Sequence, residues 1–389
     1  MEWKEVRLGD VVEIVNGFAF KSKAFTLEGI PVIKIKNIKA GKVILNDLDY
    51  ISTSDINPKY TKIRSSDILI TMTGNRMDGS PETWVGKVSL FRHQGDFYLN
   101  QRVSALRLID DTVDNNFLSY YLSSWQSQLY FALNSNSSGG QANITPAVVQ
   151  EYRLKVPELE TQRSIASILS SLDQKIELNN KINADLEEMA QAIFKNWFVD
   201  FEPFKDGKFV DSELGMIPEG WKVGCLGDLI TIKYGKDHKK LDDGTFPVYG
   251  SGGFMRFVNS WLYNGESVLI PRKGTLDNIM YVCEKFWTVD TMFFSVPKMD
   301  YVMKYVYNYI KRFDFSKMNE GTSVPSNTAA RLNKMPILIP THEILEMYDE
   351  TLCPIYNKRK MKDKESRTLF LLRDTLLPRL MSGEIEVPE

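Results

Sequence analysis

The sequence predicts an α+β protein: two similar, mixed β-rich domains joined by two long, antiparallel, coiled-coil-like helices, with a pseudo-twofold internal repeat. Three observations support this fold class. The same motifs occur twice in the same order, and each copy contains short runs typical of β-strands. Each copy is followed by a long segment whose apolar residues are spaced as in a helix.

The repeat is clearest where each copy begins. A Trp-Lys pair followed by Leu-Gly-Asp starts at Trp3 and again at Trp221, 218 positions later. DILITMTG at 67–74 resembles SVLIPRKG 200 positions later, and FYLNQRVSAL at 97–106 resembles FWTVDTMFFS 189 positions later. The copies end at Pro157 and Pro340, 183 positions apart. The second copy is thus shorter, with the difference spread over several places, which predicts one fold whose loops were altered independently in each copy.

Each copy is predicted to be a small, curved, mixed β domain with one or two helices. Runs such as VVEIV, PVIKIKNI and VSALRLI in the first copy, and LITIKYG, SVLIP and FFSV in the second, are short and apolar and are bounded by turn residues. Residues 115–133 and 301–310 have apolar side chains at helical spacing. The two predicted domains cover residues 1–156 and 221–339.

Long helices are predicted at residues 157–200 and 340–382, with a linker at 201–220 and a tail at 383–389. Apolar residues recur mostly in steps of three or four, with a polar gap in the middle of the first helix and a charged centre in the second. They are Ile165, Leu169, Leu172, Ile176, Ile182, Leu186, Met189, Ile193 and Trp197, then Ile344, Met347, Leu352, Ile355, Leu369, Leu372, Leu376 and Leu380. Each stripe needs a partner, and an antiparallel pair would satisfy both. Burial between the helices is predicted for Leu172, Ile193, Trp197, Leu352, Leu376 and Leu380.

Composition and residue clusters exclude several classes of function. The formal net charge is −2, so a nucleic-acid surface would require positive charge to be segregated onto one face. No apolar run approaches the ~20 residues that a membrane span needs, and the start has no leader pattern. Three cysteines and three histidines show no metal-ligand spacing. These features predict a cytoplasmic protein without a metal.

The motifs of catalysis are also missing from the sequence. NPKY at 57–60 has Lys where the base-holding motif of adenine methyltransferases has Pro, and no glycine-rich cofactor loop follows a strand. YGSGG at 249–253 lacks the Lys-Ser/Thr pair of a phosphate-binding loop, and DQK at 173–175 lacks the further carboxylates of a nuclease site. The chain is therefore predicted to bind, while partner proteins carry out the chemistry.

Two similar domains related by a twofold axis match the symmetry of duplex DNA, in which separate heads read half-sites about a helical turn apart. Because the two domains differ in sequence, the half-sites should differ as well. The predicted target is therefore bipartite and asymmetric, with a gap that is not read.

Two stretches carry a family resemblance. SELGMIPEGW followed by LGD, and TQRSIASILSSLDQKIELNNK after VP, resemble the specificity subunit of type I restriction-modification systems, and the resemblance covers essentially the whole chain. It implies two target recognition domains, an antiparallel helical spacer, two methyltransferase subunits docked on the helices and motor-nuclease subunits outside them. It also implies a chain without catalysis or cofactor of its own, whose partners use S-adenosylmethionine, ATP and Mg²⁺ in DNA methylation and phage defence. One departure is that the second helix has CPIYNKRKMKDK where the first has SSLDQKIELNNK, which leaves its partner contacts open.

Reading bases directly requires hydrogen-bonding side chains on exposed loops beside strands. The candidate DNA-binding residues are Lys34, Lys36, Asn37, Thr73, Asn75, Arg76, Gln101, Arg102, Lys236, Tyr249, Ser251, Arg272, Lys273 and Asp290. Thr73 and Lys273, and likewise Gln101 and Asp290, occupy equivalent positions in the two copies, which favours these four. The alternative for each candidate is an ordinary solvated turn. The stretch 134–143 is either a DNA-facing loop or a flexible connector.

Two other functions are compatible with the sequence. One is a sequence-specific DNA-binding subunit of a different phage-defence complex. The other is a coiled-coil scaffold whose β domains bind protein or glycan. DNA binding that weakens steeply with salt would separate the first from the second.

Overall fold

The computed structural model describes residues 3–77, 81–138, 140–315 and 326–387. The chain divides into two compact units, and each of them contains both sheets and helices. Met1–Glu177 and Arg367–Glu389 form the first unit, and Leu178–Ser366 forms the second. The fold therefore mixes helix and sheet in each of two units, as the sequence predicted.

The first unit consists mainly of short strands. They are β1 (Lys4–Arg7), β2 (Val12–Asn16), β3 (Phe25–Thr26), β4 (Ile30–Ile33), β5 (Ile38–Lys39), β6 (Lys42–Val43), β7 (Asp49–Ile51), β8 (Ile68–Thr71), β9 (Thr73–Gly74), β10 (Val88–Leu90), β11 (Tyr98–Leu99), β12 (Val103–Leu108), β13 (Asn136–Ser138), β14 (Gln141–Asn143) and β15 (Arg153–Val156). Its helices are α1 (Leu8–Val11), α2 (Asn115–Leu122), α3 (Trp125–Leu133), α4 (Pro146–Gln150) and the start of α5 (Leu159–Phe198). The larger sheets run β10-β8-β12-β2 and β11-β4-β7-β3, and a smaller one runs β13-β14-β9.

The helical pattern at 115–133 forms two helices rather than one. The break falls at Ser123 and Ser124, where Ser124 is the N-cap of α3 and its side chain accepts a hydrogen bond from the Ser127 N–H. A serine that caps a helix satisfies a backbone donor that would otherwise have no partner. The apolar spacing continues across the break, so it could not show where the first helix ends.

The second unit has longer strands. They are β16 (Phe209–Val210), β17 (Ile217–Pro218), β18 (Lys222–Cys225), β19 (Ile230–Tyr234), β20 (Phe246–Gly250), β21 (Gly253–Val258), β22 (Tyr263–Pro271), β23 (Met280–Thr288), β24 (Met292–Pro297) and β25 (Pro336–Ile339). Its helices are α6 (Leu226–Leu229), α7 (Met303–Ile310), α8 (Ala329–Asn333) and part of α9 (His342–Met381). One six-stranded sheet, β19-β24-β22-β23-β20-β21, dominates this unit.

The repeat inferred from the sequence is present in the fold. In the first unit β1 pairs with β15 so that Lys4 faces Val156, and in the second β18 pairs with β25 so that Lys222 faces Ile339. These residues are related by the separations of 218 and 183 seen in the sequence. The order β10-β8-β12-β2 likewise corresponds to β23-β22-β24-β19. Both units therefore have the same arrangement of central strands.

The helices α5 and α9 each have 40 residues, a length of about 60 Å at the usual rise per residue. In the second unit, the Asn183 amide donates to Asp363 at 2.6 Å and Arg359 pairs with Glu187 at 2.6 Å. Going from Asn183 to Glu187 along α5, the partner on α9 changes from Asp363 to Arg359, so these segments run antiparallel. In the first unit, Arg373 of α9 pairs with Asp173 of α5 at 2.9 Å.

Burial on the long helices departs from the predicted stripe. Leu352 and Leu380 are buried, but four other residues predicted to be buried are only half-buried: Leu172, Ile193, Trp197 and Leu376. Three further stripe residues are exposed: Met189, Met347 and Leu372. The prediction assumed that each helix packs only on the other helix.

Packing on the β domains explains the difference. In the second unit the buried residues of α5 are Ala190, Phe194 and Phe198, and the Phe198 ring lies 5.6 Å from that of Trp221. In the first unit, Leu169 of α5 joins the core of the sheet domain. In the second unit α5 therefore turns toward its domain a face beside the predicted stripe, whereas in the first unit the stripe residue Leu169 itself packs on the domain.

Candidate nucleic-acid interface

A set of backbone hydrogen bonds in the first unit joins the ends of several strands. The Gly17 N–H donates to the Val103 carbonyl oxygen at 3.1 Å, and the Phe18 N–H donates to Leu99 at 2.7 Å. The Met72 N–H donates to the Arg102 carbonyl oxygen at 2.9 Å. These bonds bring the segments after β2, β8 and β11 together at one edge.

The second unit repeats this set of bonds. The Gly235 N–H donates to Met292 at 3.0 Å, the Lys236 N–H to Thr288 at 2.9 Å, and the Arg272 N–H to Thr291 at 2.8 Å. Each donor and acceptor is the repeat equivalent of its counterpart in the first unit, at separations of 218, 200 and 189. We call each set the edge frame of its unit. Because the frames correspond, side chains at equivalent positions start from equivalent backbone positions.

A glycine allows each frame to close. A Cβ atom on Gly17 would come within 2.1 Å of the Asn100 carbonyl oxygen, and one on Gly235 within 2.0 Å of the Val289 oxygen. Any other side chain would therefore collide with backbone atoms, which cannot rotate away. The two glycines are 218 positions apart, so the close approach is part of the repeat.

Five of the predicted residues of the first domain lie at its edge frame or on the adjoining strand β9. They are Thr73, Asn75, Arg76, Gln101 and Arg102, and all except Thr73 are exposed. The Thr73 hydroxyl donates to the Asn143 carboxamide oxygen at 2.8 Å, and the Arg102 guanidinium donates to the Gln141 oxygen at 2.7 Å. The edge thus presents a connected set of donors and acceptors.

Gln141 and Asn143 had not been singled out by the sequence. Both are on β14, which pairs with β9 so that Asn143 faces Thr73. They fall in the stretch 134–143, whose glycines and small polar residues suggested either a DNA-facing loop or a connector. Gly139 of this stretch lies outside the described residues, while the flanking strands β13 and β14 form a hairpin. The pairing with β9 brings this hairpin to the edge frame.

The Lys34–Asn37 candidates are held by contacts within the domain. The Lys34 ammonium pairs with Asp49 at 3.0 Å, and the Lys36 ammonium pairs with Asp47 at 2.8 Å. Burial lowers the pKa of Lys36, but hydrogen bonds to Asp47 and Asp49 outweigh that effect, and the net pKa is raised. Lys36 therefore remains charged, and both lysines have acidic partners that a phosphate would have to displace.

Asn37 was an unsuitable choice for a base contact. Its side chain is 1% exposed. The amide nitrogen donates to the carbonyl oxygens of Ile44 and Asn46, and the amide oxygen accepts from the Lys34 N–H. These bonds use Asn37 to hold the turn between β4 and β6. Asparagine in a turn often bonds the local backbone in this way.

In the second domain, Lys236, Arg272, Lys273 and Asp290 lie together at the edge frame, and all but the half-buried Arg272 are exposed. The Arg272 guanidinium donates to the Asp290 carbonyl oxygen at 2.8 Å, and its central carbon lies 4.9 Å from the Tyr234 ring centre. Stacking on an aromatic ring limits the freedom of a guanidinium group. Tyr234 is 53% exposed and extends this surface.

The remaining two candidates differ from each other. Ser251 is half-buried. Its hydroxyl lies close to the loop that follows Arg272, since a Cβ atom on Gly274 would come within 2.5 Å of the hydroxyl oxygen. Tyr249 is 4% exposed, and its hydroxyl donates to Glu284 at 2.6 Å. Tyr249 therefore belongs to the core of the sheet, and its choice as a base contact was wrong.

Among the described residues, no group of three or more His, Cys, Asp or Glu side chains could hold a metal ion. Within the same part of the chain, no helix is long and apolar enough to cross a membrane. The edge frames instead carry amide, hydroxyl, ammonium, guanidinium and carboxylate groups. Groups of these kinds form hydrogen bonds with base edges and phosphates.

The sequence and the fold match known proteins over nearly the whole chain. It is 25% identical to the type I restriction enzyme MjaIX specificity subunit of Methanocaldococcus jannaschii, over 100% of this chain and 94% of that protein. It is 24% identical to the HindI specificity subunit of Haemophilus influenzae, over 99% and 100%. In fold it resembles the type I restriction-modification S subunit of M. genitalium, with a TM-score of 0.56, 18% identity and coverage of 98% and 96%.

A sequence model described as "Type I restriction modification DNA specificity domain" matches residues 1–188 and 218–364. These two stretches correspond to the two copies of the repeat, and together they make up most of the chain. The chain therefore belongs to the family of type I restriction-modification DNA specificity subunits, which recognise DNA sequence.

Proposed function

We propose that this chain reads an asymmetric, bipartite DNA target, with one half-site recognised at each edge frame. The observation that carries the proposal is that equivalent frames present different side chains. Thr73 corresponds to Lys273, and Gln101 corresponds to Asp290. A glutamine matches the donor and acceptor pattern of adenine, whereas an aspartate accepts only, for example from the amino group of cytosine. Different bases are therefore expected at the two half-sites.

A domain exchange tests this proposal. Residues 1–156 are replaced by the corresponding domain of a relative with a known target, and the modified sites in cells that carry the partner subunits are mapped. One half of the recognised sequence should change and the other half should stay the same. The reciprocal exchange of residues 221–339 is the matched control and should change only the other half. A change in both halves after a single exchange would contradict the assignment of one domain to each half-site.

We also propose that the long helices form an antiparallel spacer on which two methyltransferase subunits dock, with motor-nuclease subunits completing the complex. The chain itself performs no chemistry in this assembly, and its partners use S-adenosylmethionine, ATP and Mg²⁺. Exposed apolar side chains on the helices support docking: Phe370, Leu371 and Leu372 of α9 are 42%, 47% and 44% exposed. Large apolar side chains that stay exposed on a helix are candidates for burial against a partner.

Charge substitution on α9 tests the docking proposal. Leu371→Glu combined with Leu372→Glu should prevent co-purification of the methyltransferase subunits, because the interface would then bury unpaired carboxylates. Leu27→Glu is the matched control, because Leu27 is 94% exposed and lies on the sheet domain. Stoichiometry is read by light scattering of the purified complex. A full complement of methyltransferase in the double variant would exclude this stretch of α9 as their docking site.

A further inference from the structure

The first domain has a cavity of about 400 Å³ beside its edge frame. Its walls include Phe18, Phe20 and Tyr60, whose ring centres lie 4.8 to 5.1 Å apart. We call this the aromatic pocket. Its volume lies within the range of about 300–1,000 Å³ that is usual for small-ligand sites. Aromatic walls of this kind suit a flat ring, because each base adds stacking energy on an aromatic side chain.

Polar groups are placed around the aromatic rings. Lys21 and Lys23 line the pocket and are exposed, so they can meet phosphate groups. The Asp55 carboxylate and the Asn57 amide also line it. The Asn57 amide oxygen accepts from the Lys59 N–H at 2.9 Å, which leaves the amide nitrogen as a donor. The pocket thus contains one acceptor and one donor, which are the two kinds of group needed by the Watson–Crick edge of a base with an exocyclic amino group.

A buried tyrosine packs behind the rings of the pocket. Tyr98 is 1% exposed, and its ring lies 5.3 Å from that of Tyr60. Its hydroxyl group has no hydrogen-bond partner among the described residues. A buried hydroxyl without a partner carries a desolvation cost. Tyr98 does not line the pocket itself, so this cost belongs to the ring cluster behind Tyr60.

The pocket is continuous with the proposed reading surface. The Phe18 carbonyl oxygen accepts a hydrogen bond from the Gln101 N–H at 2.9 Å. At the equivalent positions of the second copy, 218 residues later, Phe18 and Phe20 are replaced by Lys236 and His238. The aromatic pair thus belongs to the first domain alone, although the backbone frame is shared. A contact to DNA that uses this pair would be made at only one half-site.

We propose that the aromatic pocket receives one adenine or cytosine that leaves the DNA stack at or beside the first half-site. The ring stacks on Phe18 and Tyr60, its amino group donates to Asp55, and the flanking phosphates meet Lys21 and Lys23. This inference rests on the proposed DNA-reading function. Extruding a base costs energy, and the cost is smallest when the base is mismatched. A mismatch at the extruded position should therefore tighten binding.

The test measures this gain. The complex with its methyltransferase subunits is titrated with target duplexes in which the base opposite each adenine or cytosine is changed, one position at a time. At one position, affinity should rise by about tenfold, which corresponds to about 1.4 kcal/mol. Phe18→Ala combined with Tyr60→Ala should remove that gain, whereas Leu27→Ala should keep it. A gain at the methylated base itself would belong to the methyltransferase and should persist in the double variant.

The inference fails if no position shows a gain that depends on Phe18 and Tyr60. Asp55→Asn guards against misfolding of the double variant, because Asp55 is exposed and the substitution removes only its charge. It should reduce the same gain, and a full gain in both variants would overturn the inference. Specific binding of matched duplex without any such gain would reject the pocket alone. Equal binding of target and scrambled duplexes would reject the proposed function instead.

Discussion

Replacing Gly235 with alanine should disable the edge frame of the second domain and leave that of the first intact. The added Cβ would lie 2.0 Å from the Val289 carbonyl oxygen and 2.6 Å from the Thr288 oxygen. Both are backbone atoms, so no side-chain rotation relieves the clash. Reaching the 3.4 Å of an ordinary contact requires a displacement of roughly 1.4 Å.

That displacement breaks two bonds of the frame, from the Gly235 N–H to Met292 and from the Lys236 N–H to Thr288. Overpacking costs about 1–3 kcal/mol and each lost hydrogen bond about 1 kcal/mol, so the second unit should lose roughly 3–5 kcal/mol. Lys236 also moves away from Asp290. Recognition at the second half-site should therefore fail even at temperatures where the unit stays folded.

The assay is competition binding with duplexes that carry base changes in one half-site at a time, together with thermal unfolding. Gly252→Ala is the matched control, because a Cβ there meets nothing within 4 Å and its φ is not in the left-handed region. Gly17→Ala, whose Cβ would lie 2.1 Å from the Asn100 oxygen, should impair the first half-site instead. If Gly235→Ala discriminates at both half-sites as well as Gly252→Ala does, the frame does not position the reading residues.

Further predictions concern base contacts, a buried charge and catalysis. Arg76→Ala and Arg102→Ala should each weaken specific binding by about 1–3 kcal/mol if the side chain meets a base edge, and an equal loss on all duplexes would identify a phosphate contact. Lys304 pairs with Glu266 at 3.1 Å and Asp349 at 2.6 Å, so Lys304→Met should lower the unfolding free energy by about 3–5 kcal/mol. Burial raises the pKa of Asp349 and Lys304 opposes that rise, so the variant's carboxyl pKa should increase further. Because the folded variant then binds more protons than its unfolded state, the deficit should shrink as the pH is lowered from neutral, and melts in which it grows would contradict this. The purified chain with S-adenosylmethionine, ATP and Mg²⁺ should neither methylate nor cut DNA, and labelled methyl transfer by a homogeneous sample would show otherwise.

The sequence alone was sufficient to reveal the repeat. The separations of 218, 200, 189 and 183 place Gly17 opposite Gly235 and Gln101 opposite Asp290, and the hydrogen bonds of the two frames follow the same separations. Motif spacing could predict this because the frame is made by the backbone and needs glycine at one fixed position. The two helices are local structures, and their apolar steps were visible for the same reason.

The environment of each polar side chain was decided by the tertiary structure. Asn37 and Tyr249 carry hydrogen-bonding side chains in turn-like stretches, as the exposed candidates do. Each is nevertheless buried by contacts that the local sequence does not encode. Gln141 reaches Arg102 because β14 pairs with β9, a contact between residues 39 positions apart. Sequence patterns report periodicity along the chain, whereas hydrogen-bond partners depend on strands that meet only in the fold.

Tertiary packing also determines which face of each long helix is buried. Periodicity correctly indicated a helix but placed Met189 in the stripe, whereas Ala190 and Phe194 are buried and Met189 is 53% exposed. A helix that packs on a sheet domain as well as on another helix presents a face that is a compromise between the two. The sequence by itself therefore determined the repeat, the strands and the helices, while packing between elements decided which side chains remain free to meet DNA.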